Sequence, residues 1–141
     1  MSRIFWDSML FIYMLEKHPT FSPRVRYLLG RTYERGDSLY TSYLAVGEIV
    51  AGAAKSPDAS KTLAVRSDLD AMGFSYLPFG ERAVMPFGQL RAQSRLRTAD
   101  AIHLACAASA GIDLFLTGDK QLVGLHVPGV QFVVDFNTDI L

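Results

Sequence analysis

The stretch from Leu96 to Leu122, LRTADAIHLACAASAGIDLFLTGDKQL, narrows the choice of fold more than any other part of the chain. Between Ala99 and Ala110 the only polar side chains are Asp100, His103 and Ser109. A helix apolar on nearly every side is buried over most of its surface and not laid on the outside. Thr98 stands where an N-cap would, its hydroxyl able to accept a first-turn N–H. Asp100 falls within that first turn, where the positive end of the helix favours an anion. Gly111 is placed to end the helix as a left-handed C-terminal residue. Asp113–Thr117 is then too short for a helix and suits an interior strand of a parallel sheet. Asp119 emerges just past its end. Two carboxylates therefore stand at the ends of buried elements.

The N-terminus repeats this grammar. Arg3–Trp6 is β-prone, Asp7 follows it directly, and Ser8–Leu15 reads as a helix. Ser22-Pro23 is a good helix start, with serine at the cap and proline in the first turn, and Gly36 ends that helix after about Arg35. Ser38–Thr41 is a second strand, and Ser42 or Thr41 caps a third helix that carries Glu48 among Leu44, Val46, Ile49 and Val50. From Ser60 to Met72, Leu63, Val65, Leu69 and Met72 alternate with charges, as on an amphipathic surface helix. Phe74–Leu77 is a third strand; Gly80 to Arg95 is helical in pattern, with Pro86 expected to start or kink it. Val130–Val134 supplies the last strand. Strands alternating with helices imply an α/β layered fold around a mainly parallel sheet. At 141 residues without repeats or a linker, the expectation is a single domain over 1–141.

The formal net charge is zero, which argues against coating nucleic acid through bulk charge but leaves room for a local basic rim. The rim candidates are Arg91, Arg95 and Arg97, which lead into the apolar helix and suit phosphate contacts; a solvated helix face explains them equally well. A single cysteine, Cys106, allows neither an internal disulfide nor a thiolate metal cluster and points to a reducing, cytoplasmic setting. No apolar run approaches the ~18 residues of a membrane span, and the opening MSRIFWD is too short and too soon acidic for a signal peptide.

In an open parallel sheet the ligand crevice lies outside the carboxyl ends of the strands. Asp7 and Asp119 both sit at such ends; Asp100 opens the apolar helix, and Glu48 rides on a helix that follows a strand. If these acids meet, their mutual repulsion calls for a hard divalent cation. Mg²⁺ takes oxygen ligands and keeps several waters, and a water acidified by the ion is a nucleophile for phosphodiester hydrolysis.

Four segments then resemble a known family: FWDS at Phe5–Ser8, TSYLAVGEI at Thr41–Ile49, LRTADAIHLA at Leu96–Ala105 and FLTGD at Phe115–Asp119. Together they resemble the PIN domain, and most of all its VapC-type toxin ribonucleases, over essentially the full chain. The resemblance implies a three-layer α/β/α sandwich and an acidic Mg²⁺ or Mn²⁺ site that cuts RNA. It places Asp7, Glu48, Asp100 and Asp119 in the catalytic set. Asp7, Asp100 and Asp119 would hold the ion, Glu48 would be a ligand or base, and Thr117 would stand where a hydroxyl lies near metal and substrate. It further implies a homodimer and a cognate antitoxin lying over the site. Two departures stand out: Ser8 and Met9 occupy the place of a frequent asparagine, and Pro86 interrupts a helix.

Plainer readings compete. Asp7 would merely start a helix, Glu48 pair with an arginine, and Asp119 serve a turn with Gly118. His103 reads as a packed core histidine and Cys106 as core. From other classes come a phosphoacceptor signalling domain with an acidic Mg²⁺ pocket and a catalytically inactive PIN fold kept for binding. The first is disfavoured because only one acid follows the first strand and Lys120 directly follows an acid.

Overall fold

A computed structural model describes residues 1–141. Five strands form one sheet: β1 (Arg3–Trp6), β2 (Ser38–Ser42), β3 (Ser75–Leu77), β4 (Ile112–Thr117) and β5 (Val130–Asp135). Their order is β3-β2-β1-β4-β5, and every pairing is parallel. Six helices surround it: α1 (Ser8–Leu15), α2 (Ser22–Arg35), α3 (Tyr43–Ala54), α4 (Ser60–Ala71), α5 (Glu81–Gln93) and α6 (Thr98–Ala110). This is the expected α/β/α sandwich around a parallel sheet.

The two faces of the sheet explain the layers. Successive strand residues point to opposite sides, so Ile4 and Trp6 of β1 enter one core while Phe5 enters the other. The first core adds Leu10 and Phe11 of α1, Leu28 of α2, Ile49 of α3 and Leu69 of α4. The second gathers Leu90 of α5 and Ala101, Leu104 and Ala107 of α6 against Phe115 and Val133. Phe5 stacks on Phe115 across the β1–β4 pair, with ring centroids 4.8 Å apart. Helix α6 buries seven of its residues, as its composition requires, and Gly111 ends it in the left-handed region at φ 68°.

Several local expectations are corrected. Thr98 is not the N-cap of α6: Arg97 holds that place in extended conformation, and its carbonyl takes the first helical bond from the Ala101 N–H at 3.0 Å. Likewise Ser22 lies inside α2, with Phe21 at the cap. On α4 only Leu69 is buried and Leu63 is largely exposed, because the helix meets the core through Leu69, Val65 and Met72, at its C-terminal half. Pro86 neither starts nor ends α5, which continues through it. The lost bond is one to the carbonyl of Arg82, on an exposed turn where water is at hand.

Sheet order sets the place of the site. The chain moves outward from β1 through β2 to β3, then returns to the other side of β1 for β4 and β5. The order reverses between β1 and β4, and a crevice opens at their carboxyl ends. Trp6 pairs with Leu116 there, so the next residues on the two strands are Asp7 and Thr117.

Candidate active site

Asp7 occupies the N-cap position of α1, yet its side chain caps nothing. Its Oδ2 instead accepts from the Thr117 hydroxyl at 2.8 Å and its Oδ1 from Ser8 at 3.3 Å. The residue is buried, and so are both partners. Merely starting a helix would use the carboxylate on first-turn N–H groups; here it is turned toward β4. Ser8, one of the two departures from the resemblance, thus orients the acid it follows.

Thr117 is wholly buried at the end of β4. Its hydroxyl donates to Asp7 and accepts the Asp119 N–H at 3.0 Å. It holds two acidic residues in place. Asp119 follows; one oxygen accepts the Gln121 N–H at 2.9 Å in a turn, and the other lies 3.9 Å from an Arg97 nitrogen. The turn reading of Asp119 therefore accounts for one oxygen only.

Asp100 is buried in the first turn of α6, and its Oδ2 accepts from Arg97 Nε at 3.0 Å. That guanidinium joins Asp100 to Asp119. Asp100 raises its pKa first through the hydrogen bond and then through charge, with Asp119 and Asp7 adding to the same effect. Glu48 in turn feels the Arg97 charge. Asp100 and Asp119 thus meet at Arg97, Asp7 is joined to the Asp119 turn through Thr117, and Glu48 stands apart on α3. Arg91 spends a nitrogen on the Leu96 carbonyl, whereas Arg95 is exposed and makes no ion pair or hydrogen bond.

Glu48 corrects an expectation about pairing. Its partner is not an arginine but His103 of α6, whose Nε2 lies 2.7 Å from Oε1. This hydrogen bond is the main cause holding the Glu48 carboxyl below the ordinary carboxylate range, with the Arg97 charge assisting. His103 is buried, as a core histidine should be, but its ring is committed at both nitrogens: Nδ1 lies 2.8 Å from the Ser42 hydroxyl. The three-residue spacing from Asp100 was the only sequence signal for this role, since it puts both side chains on one helix face.

A divalent cation fits these residues in kind, because carboxylate oxygens are the hard donors that Mg²⁺ and Mn²⁺ take. It does not fit their present spacing. No three His, Cys, Asp or Glu side chains are grouped as they would be around one ion. The Arg97 guanidinium contacts both Asp100 and Asp119.

A parallel α/β/α sandwich with acids gathered at its switch point defines a class of acidic-site α/β proteins. Within that class the chain belongs to the PIN domain family, whose model matches residues 4–125. Among solved structures it is similar to VapBC2 from Rickettsia felis bound to a DNA fragment from its promoter. That match has a TM-score of 0.76 and 14% identity, covering 94% of this chain and 98% of the other. DNA-bound VapBC from Salmonella typhimurium gives a TM-score of 0.75 and 20% identity over 96% and 99% of the two chains. VapBC-1 from nontypeable Haemophilus influenzae gives 0.68 and 15% over 96% and 99%. At these identities the likeness is one of fold. No curated protein matches the sequence significantly. No helix is long and apolar enough to cross a membrane.

Proposed function

We propose that the chain is a divalent-metal-dependent endoribonuclease, the toxin of a VapC-type toxin–antitoxin pair acting in the cytoplasm. The observation that carries this reading is that a PIN-family chain sets Asp7 at its switch point, joined through Thr117 to the turn of Asp119, with Arg97 linking Asp119 to Asp100. Asp7, Asp100 and Asp119 are the residues that would hold Mg²⁺ or Mn²⁺. Such an ion supplies an acidified water for attack on a phosphodiester and offsets charge on the phosphoryl oxygens. Thr117 and Ser8 keep the Asp7 carboxylate oriented. Glu48, held ionised at neutral pH, offers an acceptor for a proton-bearing group in the pocket. Arg91, Arg95 and Arg97 lie along the approach from α5 to α6 and suit RNA phosphates.

Two partners accompany this reading. A largely apolar cleft of about 420 Å³ lies between α1, α3 and α4, with Ile12, Leu15, Ile49 and Val65 in its walls and Glu48 at its margin. It supports an antitoxin segment reaching toward the acids. Exposed Phe79, Val84 and Met85 on and before α5 support a homodimer.

RNA cleavage with and without Mg²⁺ or Mn²⁺ tests the reading, comparing wild type with Asp7→Asn and Asp100→Asn. Metal-dependent cleavage that disappears in both variants is expected. Undiminished cleavage in both overturns the site, and no cleavage or growth arrest by wild type favours a binding-only PIN fold.

A further inference from the structure

Helix α3 begins and continues on one histidine of another helix. Ser42, its N-cap, accepts the Ala45 N–H at 3.0 Å and lies 2.8 Å from His103 Nδ1. Glu48, further along the same helix, lies 2.7 Å from His103 Nε2. The imidazole of α6 is therefore grasped from both ends by α3.

The proton positions follow from counting donors. A serine hydroxyl has one proton to give. The Ala45 N–H already donates to Ser42, and the only other partner of that hydroxyl is His103 Nδ1. Were Nδ1 to carry a proton, the Ser42 proton would be left in a buried place with no acceptor, which is costly. So Ser42 donates to Nδ1, the ring proton sits on Nε2, and Nε2–H donates to the ionised Glu48. A single tautomer satisfies every atom.

We infer that His103, oriented by Ser42, is the positioning residue for Glu48, tying that carboxylate to the helix that carries Asp100. This rests on the placement of Glu48 in the active site argued above. Helices α3 and α6 arise from distant parts of the sequence, and Glu48 is not otherwise tethered by a protein donor of comparable closeness. An acid free to swing would meet the pocket in many orientations; one held by Nε2–H meets it in one. Partners of this kind, one step removed from the reacting atoms, contribute about 10–100-fold to activity or affinity when tested in other sites.

Two measurements test the inference. Long-range ¹H–¹⁵N spectra of the imidazoles, with the His103 signals identified by their loss in His103→Gln, report the tautomer without any reaction. The Nε2–H form is expected in wild type, and a mixture of tautomers in Ser42→Ala. The second measurement is Mn²⁺-supported RNA cleavage by folded His103→Asn and His103→Gln. Asparagine places its amide near Nδ1 and loses Glu48; glutamine places an N–H near Nε2 and keeps it. The expected result is kcat lowered about 10–100-fold in His103→Asn with KM unchanged, and largely restored in His103→Gln. A purely structural role for His103 predicts instead that activity follows melting temperature in both variants, and that result overturns the inference. So does an Nδ1–H tautomer in wild type, which needs no variant to fold. If Glu48→Gln cleaves as wild type does, the placement of Glu48 fails and the functional half of the inference falls with it. A wrong tautomer alongside an inactive Glu48→Gln overturns the positioning by His103 alone.

Discussion

Helix α6 carries two nitrogen-bearing side chains next to the proposed site, and they hold carboxylates in opposite ways. Arg97, at its cap, has a side chain 79% exposed and reaches an Asp100 side chain 10% exposed, and also Asp119; His103 is 3% exposed and reaches a Glu48 side chain 38% exposed. A guanidinium in water is screened and weakly held, whereas a buried imidazole that breaks its bonds leaves the buried Ser42 hydroxyl stranded. The two ends of one site therefore differ in mobility. Its Glu48 side is built in place, and its Asp100–Asp119 side is closed by a side chain that can leave.

The sharpest way to break this contrast is at the carboxylate the exposed end guards. Asp100→Asn removes a proposed ligand and should lower metal-dependent RNA cleavage by more than about 100-fold, beyond the range seen when a ligand's supporting partner is removed. Single-turnover cleavage measures it. A tenfold loss or less would place Asp100 among the supporting residues and leave the movable end without a catalytic purpose.

Next in size is the buried end. His103→Leu leaves the Ser42 hydroxyl proton and one Glu48 oxygen without their partner. Urea unfolding should show a loss of about 1–3 kcal/mol, the cost of stranding the buried Ser42 hydroxyl. A variant as stable as wild type would mean that water replaces the imidazole at no cost, and the rigid end would be no more rigid than the other.

These two ends were unequally legible in the sequence. The apolar run of α6, its glycine stop and the short strand after it follow from composition and period, so Asp100 and Asp119 could be placed at element ends before any contact was known. Asp7 could be placed the same way, at the end of β1. Those inferences need only local rules. The partner of Glu48 needed a global one: His103 lies 55 positions away and meets it only because α3 and α6 pack together. A glutamate among apolar neighbours on a helix announces that it has a partner, but not which one. Thr98 misled for a local reason. Hydroxyl residues favour caps, but here Arg97 takes the cap and uses its long side chain to reach Asp100 in the same first turn. Leu63 misled because amphipathic spacing shows which residues share a face, and not how far along the helix the core extends.

A smaller effect should appear with acid. The Glu48 carboxyl is held below the ordinary range, chiefly by His103. A depressed folded-state pKa adds stability that is fully present above the unfolded-state value and lost as pH falls through the folded one. The difference in melting temperature between wild type and Glu48→Gln should therefore be constant above about pH 5 and shrink below it, as carboxylates reach their ordinary titration range. A difference that persists unchanged into acid would mean that the pair does not depend on an ionised Glu48.

The exposed end offers the smallest change in stability and the most telling one in binding. Arg97→Ala removes a side chain that sits in water, so the melting temperature of the metal-free protein should move less than in His103→Leu. Yet the guanidinium is the positive charge that Asp100, Asp119 and Asp7 share. Without it their mutual repulsion is relieved only by another cation, and none of the remaining arginines bonds to these acids. Titration with Mn²⁺ followed by electron paramagnetic resonance should show severalfold tighter binding in Arg97→Ala than in wild type, with the difference narrowing as salt screens the guanidinium. Equal affinities would show that the arginine stands clear of the ion's place. Weaker binding in the variant would reverse its role, making Arg97 a support that sets the Asp100 carboxylate for the ion, and the two ends of α6 would then work alike.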